Sequence, residues 1–310
     1  MKRRDFIKSA TVLTTGMVAA PGLVSAENIS SLAREKESAK AVKMKKALGY
    51  GMIQDDLSLV DKFKMVKEIG FDGIEFNSPL EFPVDELLRA RDKSGIELPT
   101  TVNKDHWKLP LSSPDPSIRK KILESVTQSL KDTKAIGGDA VLVVPGVVNK
   151  DASYEEAYYT ALNAIRELIP AVESIGIKIG LENVWNNFLL SPLEAKQFVD
   201  DINCPLIGWW FDIGNVLRYG WPEQWIRTLN KRIVKLHLKE FSIKKMNEEG
   251  LWKGFDVDIE KGDDDWPAVM KAVGEVGYSG GWITAEVSGG GREKLAKLSR
   301  DMDKVISYLP

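Results

Sequence analysis

Short apolar runs alternate with amphipathic stretches from about residue 47 to the C-terminus. Eight of the runs are short enough for strands and rich in β-branched or aromatic residues. They lie at 48–53, 73–76, 97–102, 140–145, 177–183, 206–212, 233–239 and 281–287. Between them, stretches such as SIRKKILESVTQSLKDTKAIGG carry apolar residues three or four positions apart and end at glycine, which is typical of helices. The pattern predicts strands and helices in alternation.

Eight strand–helix units with no internal linker predict an α/β fold, a (β/α)₈ TIM barrel that forms a single domain over residues 47–310. The alternative is an open doubly wound sheet. The first strand-to-helix turn, GYGMIQDDLS, lacks the GxGxxG phosphate loop of that alternative. After the seventh strand, residues 241–264 form a long excursion, and loops of this length are uncommon unless they serve a site.

The seventh strand and its continuation, IVKLHLKEF at 233–241, alternate apolar and charged residues. In a closed barrel, one face of each strand packs on the helices and the other faces the interior. The apolar set is therefore predicted to face the helices and the charged set to face inward. The apolar set is Val234, Leu236 and Leu238, and the charged set is Lys235, His237 and Lys239.

The same alternation on strands five, six and eight completes a set of four inward residues near the C-terminal strand ends. The set is Glu182, Asp212, His237 and Glu286. Barrel enzymes build their sites at this end. Three converging carboxylates require a counter-charge, and three oxygens with one imidazole nitrogen suit a divalent metal. We predict a metal centre, and the alternative is a structural ion-pair network with the inward lysines.

Charge and histidine content argue against a nucleic-acid partner. The net charge is −2 and the chain has two histidines. A DNA-repair barrel would need several metals, many histidines and a basic face for phosphates. We therefore expect no nucleic acid to bind.

The first 26 residues have the pattern of an export signal. Arg3 and Arg4 open a basic start, an apolar stretch follows from about 10 to 24, and small residues end it at Ser25-Ala26. We predict a twin-arginine-type signal over 1–26, a polar tether over 27–46, and a periplasmic protein without membrane contact beyond the signal. An ordinary secretory signal or a membrane anchor is the alternative, but the apolar run is short beside the roughly 20 residues of a span.

Four segments, GLENVWN, WWFDIGNV, KLHLKEF and ITAEVSGG, resemble the strand-five to strand-eight motifs of the sugar isomerase/epimerase superfamily. These are the xylose isomerase-like barrels, which are related in fold to endonuclease IV. The resemblance covers nearly all of residues 47–310, including IGFDGIEF and DIEKGDDDWPAVMKAV. It implies one divalent ion, commonly manganese, with magnesium, cobalt or zinc as alternatives. The implied ligands are Glu182, Asp212, His237 and Glu286, and Glu182 and Glu286 also exchange protons with the substrate.

Two departures from the family pattern bear on the substrate. Many epimerases of the family carry histidine three residues after the strand-six aspartate, where this chain has Asn215. An arginine that commonly reaches the substrate after strand seven has no clear counterpart, and Lys239 or Lys253 are the candidates to replace it. Both changes affect substrate contacts rather than the metal ligands.

The predicted chemistry is proton abstraction next to a metal-bound carbonyl, which gives an enediolate. One glutamate takes the proton, and the other returns one to the opposite face in an epimerase or to the neighbouring carbon in an isomerase. With a leaving group one carbon further on, the same first step makes a lyase that eliminates the aglycone from 3-keto-glycosides. Because sugar phosphates are cytoplasmic, export favours an unphosphorylated sugar or a glycoside. A non-catalytic periplasmic sugar-binding barrel is the alternative of another class, and an oligomer is compatible with either.

Several further residues fall where the mouth of the barrel is predicted and are candidate substrate contacts. They are His106, Trp107, Trp185, Trp252, Glu75, Asn215 and Lys239. For His106 the alternative is an exposed loop histidine, and for the tryptophans it is packing under a loop. Lys235 lies deeper, where a structural salt bridge is expected. Trp210 and Trp282 point inward and are expected to fill the barrel.

Overall fold

Eight parallel strands close into a barrel in the computed structural model, which describes residues 44–278 and 280–310. Each strand pairs with the next in sequence, and the last pairs with the first. The strands are β1 (Lys45–Gly49), β2 (Gly73–Ser78), β3 (Thr100–Asn103), β4 (Ala140–Val143), β5 (Lys178–Glu182), β6 (Ile207–Asp212), β7 (Ile233–Leu238) and β8 (Trp282–Ala285). The predicted (β/α)₈ barrel is confirmed. The export signal (1–26) and most of the tether lie outside the described residues.

In the described part of the chain, ten α-helices surround the strands. They are α1 (Leu59–Glu68), α2 (Val84–Ser94), α3 (Pro116–Ile136), α4 (Tyr154–Glu167), α5 (Ile169–Ile175), α6 (Pro192–Ile202), α7 (Pro222–Leu229), α8 (Ile243–Glu249), α9 (Trp266–Glu275) and α10 (Arg292–Ile306). Short 3-10 helices cover Tyr50–Met52, Gly214–Val216, Asn230–Arg232 and Leu251–Phe255. Within the described ranges, no helix combines the length and apolar character needed to cross a membrane.

The first strand begins at Lys45 and so includes the last two residues of the predicted tether. In the sequence, Lys46 looks like one more charged residue of the tether, yet its side chain is buried against α10. Its Nζ donates to the carbonyl and the hydroxyl of Ser299, both at 2.8 Å, and lies 2.7 Å from Asp303 Oδ2. Because this ammonium is satisfied within the helix layer, the strand starts earlier than its apolar pattern indicates.

A bulge between β6 and β7 changes the predicted facing of Val234. Trp209 pairs with Ile233, whereas Trp210 already pairs with Lys235, so one residue of β7 is extra. Val234 packs on the inner cluster that contains Trp210, and the prediction that it faces the helices is wrong. Beyond the bulge the register aligns Asp212 with His237 at the upper end of the barrel.

Below the site, the barrel interior is filled as predicted by Trp210, which is fully buried. Its indole lies edge-on to the His237 ring, with 5.2 Å between ring centroids. A Cβ at Gly180 would lie 2.8 Å from Cε3 of Trp210, so only glycine leaves room for the indole. At the lower end, the salt bridge expected for Lys235 is present, with 2.7 Å from its Nζ to Asp139 Oδ1.

We expect Gly180→Ala to lower the free energy of unfolding by about 1–3 kcal/mol, because the added methyl overpacks the barrel interior. Gly51→Ala is the matched control, since no atom lies within 4 Å of the methyl that it adds. Denaturant titration measures both variants. Equal stability of the two would contradict the packing role of Gly180.

Candidate active site

A cavity of about 540 Å³ opens at the C-terminal ends of the strands. Its size lies within the range of small-molecule sites, roughly 300–1,000 Å³. The predicted site residues line this cavity except Asp212, which is fully buried, and Lys253. The alternation of inward and outward side chains therefore predicted which residues share this cavity.

Four predicted metal ligands come together at the floor of the cavity. Each residue offers one potential ligand atom, and these four atoms all lie within 4.8 Å of one another. The residues are Glu182, Asp212, His237 and Glu286. His237 Nδ1 lies 3.0 Å from Glu182 Oε1 and 3.0 Å from Glu286 Oε2. Glu286 follows β8, and its N–H donates to the carbonyl of Leu238 at 3.0 Å, which continues the pairing with β7.

Lys239 reaches into the same cluster. Its Nζ lies 3.1 Å from Asp212 Oδ2 and 3.0 Å from Glu286 Oε2. The predicted metal centre and the alternative ion-pair network thus share the same carboxylates. Lys253, the other lysine considered for a substrate contact, is exposed, pairs with Asp256 at 2.7 Å and does not line the cavity.

The donor set fits a divalent cation. Asp212 Oδ2 is buried and makes no well-aligned hydrogen bond, although the Lys239 ammonium is near it. A buried carboxylate oxygen without such a bond is costly, and a cation that binds it offsets the cost. Three carboxylates and one imidazole are ligands that manganese and related divalent ions accept. Glu182, Asp212, His237 and Glu286 would hold the ion.

Burial and neighbouring charge separate the pKa values of the carboxyl groups. Burial raises the pKa of Glu182 to about 7 and that of Asp212 to about 6. Partial burial acts in the same direction on Glu286, but Lys239 and His237 outweigh it and hold the pKa of Glu286 below its usual range. For His237 itself, the surrounding carboxylates outweigh burial and raise the pKa well above its ordinary value.

Glu75, predicted as a substrate contact, binds the far side of His237. Its Oε1 lies 3.3 Å from His237 Nε2, and its Oε2 accepts a hydrogen bond from the Thr100 hydroxyl at 2.6 Å. A carboxylate at Nε2 keeps a proton on that nitrogen and leaves Nδ1 toward the other carboxylates. The structure thus gives Glu75 a position from which it orients the His237 ring.

Two asparagines fix the main chain and side chain of Asp212. Asn215, predicted as a substrate contact, donates its N–H to Asp212 Oδ1 at 2.8 Å and its Nδ2 to the Asn183 carbonyl at 3.0 Å. The Oδ1 of Asn183 accepts a hydrogen bond from the Asp212 N–H at 3.0 Å, and the Nδ2 of Asn183 donates to the Asp212 carbonyl at 2.7 Å. Asn183 was not among the residues predicted from the sequence, although it follows Glu182 directly in the GLENVWN motif.

His106 is buried and lines the cavity, so its interpretation as an exposed loop histidine is wrong. Its Nδ1 accepts the N–H of Val144 at 3.4 Å. Burial lowers the pKa of His106 to about 4, which makes the imidazole neutral near pH 7. With Nδ1 as acceptor, the proton of the neutral ring is on Nε2.

The three candidate tryptophans differ in their surroundings. Trp185 packs against Trp252 and Phe255, with 5.0 Å between ring centroids in both pairs, and its Nε1 donates to the Asn215 carbonyl at 2.9 Å. Trp252 and Trp107 stay largely exposed, at 67% and 52%. Packing under a loop therefore describes Trp185, and the other two present free surface at the mouth.

Glu240 was not predicted from the sequence to have a role at the site. It is buried, and its Oε2 accepts the N–H of Glu260 at 2.7 Å and the indole N–H of Trp266 at 2.8 Å. Its Oε1 accepts the N–H of Asp264 at 3.2 Å. One carboxylate thus ties the end of the 241–264 excursion to the end of β7. The excursion carries Trp252 on its 3-10 helix, so Glu240 holds that wall of the cavity.

Residues 63–305 match the family model described as xylose isomerase-like TIM barrel. The chain is 28% identical over 171 residues to a 2-oxo-tetronate isomerase of Haemophilus influenzae, covering 51% of this chain and 65% of the relative. It is 20% identical over 262 residues to an L-ribulose-5-phosphate 3-epimerase of Escherichia coli, covering 79% of this chain and 88% of the relative. Among solved structures, an L-ribulose 3-epimerase matches with a TM-score of 0.71 at 15% identity, covering 85% of this chain and 95% of that chain. This likeness concerns the fold.

We expect Glu240→Gln to loosen the excursion after β7, because an amide nitrogen cannot accept the N–H groups that the carboxylate binds. Hydrogen exchange of residues 251–264 should become faster, and the free energy of unfolding should fall by about 1–3 kcal/mol. Glu249→Gln, at an exposed position of α8, is the control. Unchanged exchange in the Glu240 variant would show that the excursion is held by other contacts.

We expect Glu75→Gln to weaken binding of Mn²⁺ about 10- to 100-fold, since the carboxylate that orients His237 is lost. Titration calorimetry of the protein stripped of metal measures the affinity. Glu81→Gln is the control, because Glu81 lines the same cavity but is exposed. Equal Mn²⁺ affinity in the two variants would exclude the orienting role of Glu75.

Proposed function

The chain belongs to the family of xylose isomerase-like TIM barrels, and from this premise we propose that it is a divalent-metal-dependent sugar isomerase or epimerase. The observation that carries the proposal is the convergence of Glu182, Asp212, His237 and Glu286 at the floor of one cavity. A carboxylate-rich cluster at the active-site end of a barrel suits proton transfer beside a carbonyl.

The donor set supports manganese as the ion, because carboxylate oxygens dominate and a single imidazole completes the set. When bound, a divalent cation supplies positive charge that stabilises negative charge developing on a substrate oxygen. Glu75 then keeps the His237 ring oriented through Nε2. Asn183 and Asn215 keep Asp212 in place.

Glu182 and Glu286 are the residues proposed to move the proton. They approach the cluster from β5 and from the end of β8, with β6 and β7 between them. Glu182 is buried, and the Glu286 side chain is 50% exposed. One carboxylate removes the proton from the carbon beside the carbonyl, and the other returns a proton. Return to the opposite face gives an epimer, and return to the neighbouring carbon gives an isomer.

The charge of the cavity supports an unphosphorylated substrate. Its acidic lining residues are Glu75, Glu81, Glu182 and Glu286. Among the described lining residues there is no arginine, and Lys239 already lies between two carboxylates. A phosphate dianion is normally recognised by arginine, lysine or helix N-termini. The export predicted from residues 1–26 stays a prediction and agrees with such a substrate.

We expect the protein loaded with Mn²⁺ to exchange the hydrogen beside the carbonyl of its sugar for deuterium in heavy water. Proton NMR of a panel of free ketoses and aldoses measures the rate. Glu182→Gln and Glu286→Gln should each slow exchange about 100- to 10,000-fold, because a positioned proton-transfer group is removed.

Glu155→Gln, at an exposed position of α4, is the control and should keep the native rate. Full exchange in either active-site variant would contradict the assigned roles. Saturable sugar binding without any exchange would instead support a non-catalytic binding barrel.

A further inference from the structure

The cavity has a charged floor and an aromatic mouth. The floor holds the carboxylate cluster with His237 and Lys239. At the mouth, two tryptophans expose large apolar surfaces, and we call Trp107 and Trp252 the aromatic rim. The proposed proton transfer occurs at the floor, so the chemistry leaves the aromatic rim without a role.

Trp252 is supported from below by a packed set of rings. One side of its indole lies against Trp185, and Trp185 is in turn flanked by Phe255 and by the Arg218 guanidinium at 4.9 Å. The Trp185 Nε1 is fixed by the Asn215 carbonyl. With this backing, Trp252 still leaves 67% of its surface open. Its position is therefore built by the protein, while its outer face is left uncovered.

Trp107 is the second member of the aromatic rim. It follows β3, whereas Trp252 lies in the excursion after β7 and packs on Trp185, which follows β5. Trp107 packs edge-on against His106, with 5.6 Å between ring centroids, and is 52% exposed. Both indoles line the cavity that the carboxylate cluster lines.

A ligand that fills both levels must be larger than one sugar ring. Exposed aromatic surface at a binding mouth marks a site for another apolar face, and stacking of rings adds about 0.5–1.5 kcal/mol beyond burial. The cavity of about 540 Å³ lies in the range of sites that bury drug-sized ligands. A sugar ring on the floor leaves the rim for a second ring.

We propose that the aromatic rim is a second ring-binding subsite and that the natural substrate carries a second ring beside the sugar that reacts. The reacting sugar lies on the carboxylates at the floor, and the second ring stacks on the aromatic rim. The assignment of the sugar ring to the floor rests on the proposed function. The subsite itself rests on the two indoles and their support.

The test compares methyl and phenyl β-D-glucopyranoside, and the same pair in the galactose series, as ligands of the full protein with Mn²⁺. Dissociation constants come from titrations followed by saturation-transfer NMR. The phenyl member of a pair should bind about 2- to 13-fold more tightly, the factor that stacking supplies. Trp252→Ala should remove this advantage, and Trp252→Tyr should keep part of it.

Trp221→Ala is the matched control, because Trp221 is 63% exposed but does not line the cavity. This variant should keep the phenyl advantage. Equal binding of methyl and phenyl members, no binding of any probe, or the same loss in the Trp221 variant would overturn the subsite. Proton exchange with a free sugar without a phenyl advantage would remove the subsite and leave the proposed function. A phenyl advantage without proton exchange on any sugar would leave the subsite and remove the proposed function.

Discussion

The structure depends on placing like charges together in a buried position. Several carboxylates converge at the strand ends, and each buried ion costs several kcal/mol unless it is paired and hydrogen-bonded. The chain meets this cost with a shell of fixed partners. Asn183 and Asn215 hold Asp212, and Glu75 holds the far side of His237. Such an arrangement requires positive charge at the centre, which Lys239 and protonated His237, or a divalent cation, supply.

The scaffold below and beside this centre sets its geometry. The bulge between β6 and β7 brings Asp212 level with His237, and Trp210 fills the interior beneath them because Gly180 leaves the space. The floor therefore rests on a closely packed interior. The wall after β7 is held differently, since the single buried carboxylate of Glu240 ties it down through three N–H groups. The cavity therefore combines a floor held by several packed residues with a wall that depends on one residue, Glu240.

The sequence predicts the barrel and its floor well because both follow from local alternation. Side chains alternate between inward and outward along each strand, and this alternation is enough to identify the four clustered side chains. What it misses depends on contacts between distant segments. The extra residue at Val234 appears only when β6 pairs with β7, the burial of Lys46 requires α10, and the burial of His106 requires the chain beyond β4. Glu240 likewise gains its partners from residues about 20 or more positions later.

The central claim is that a divalent cation binds where Glu182, Asp212, His237 and Glu286 meet. An anomalous difference map from crystals grown with Mn²⁺, collected on both sides of the manganese absorption edge, tests it most directly. The account predicts one strong peak in contact with a carboxylate oxygen of each acid and with Nδ1 of His237, and Lys239 displaced from at least one of its carboxylates. A map without a peak at this position, with Lys239 still between Asp212 and Glu286, would contradict it.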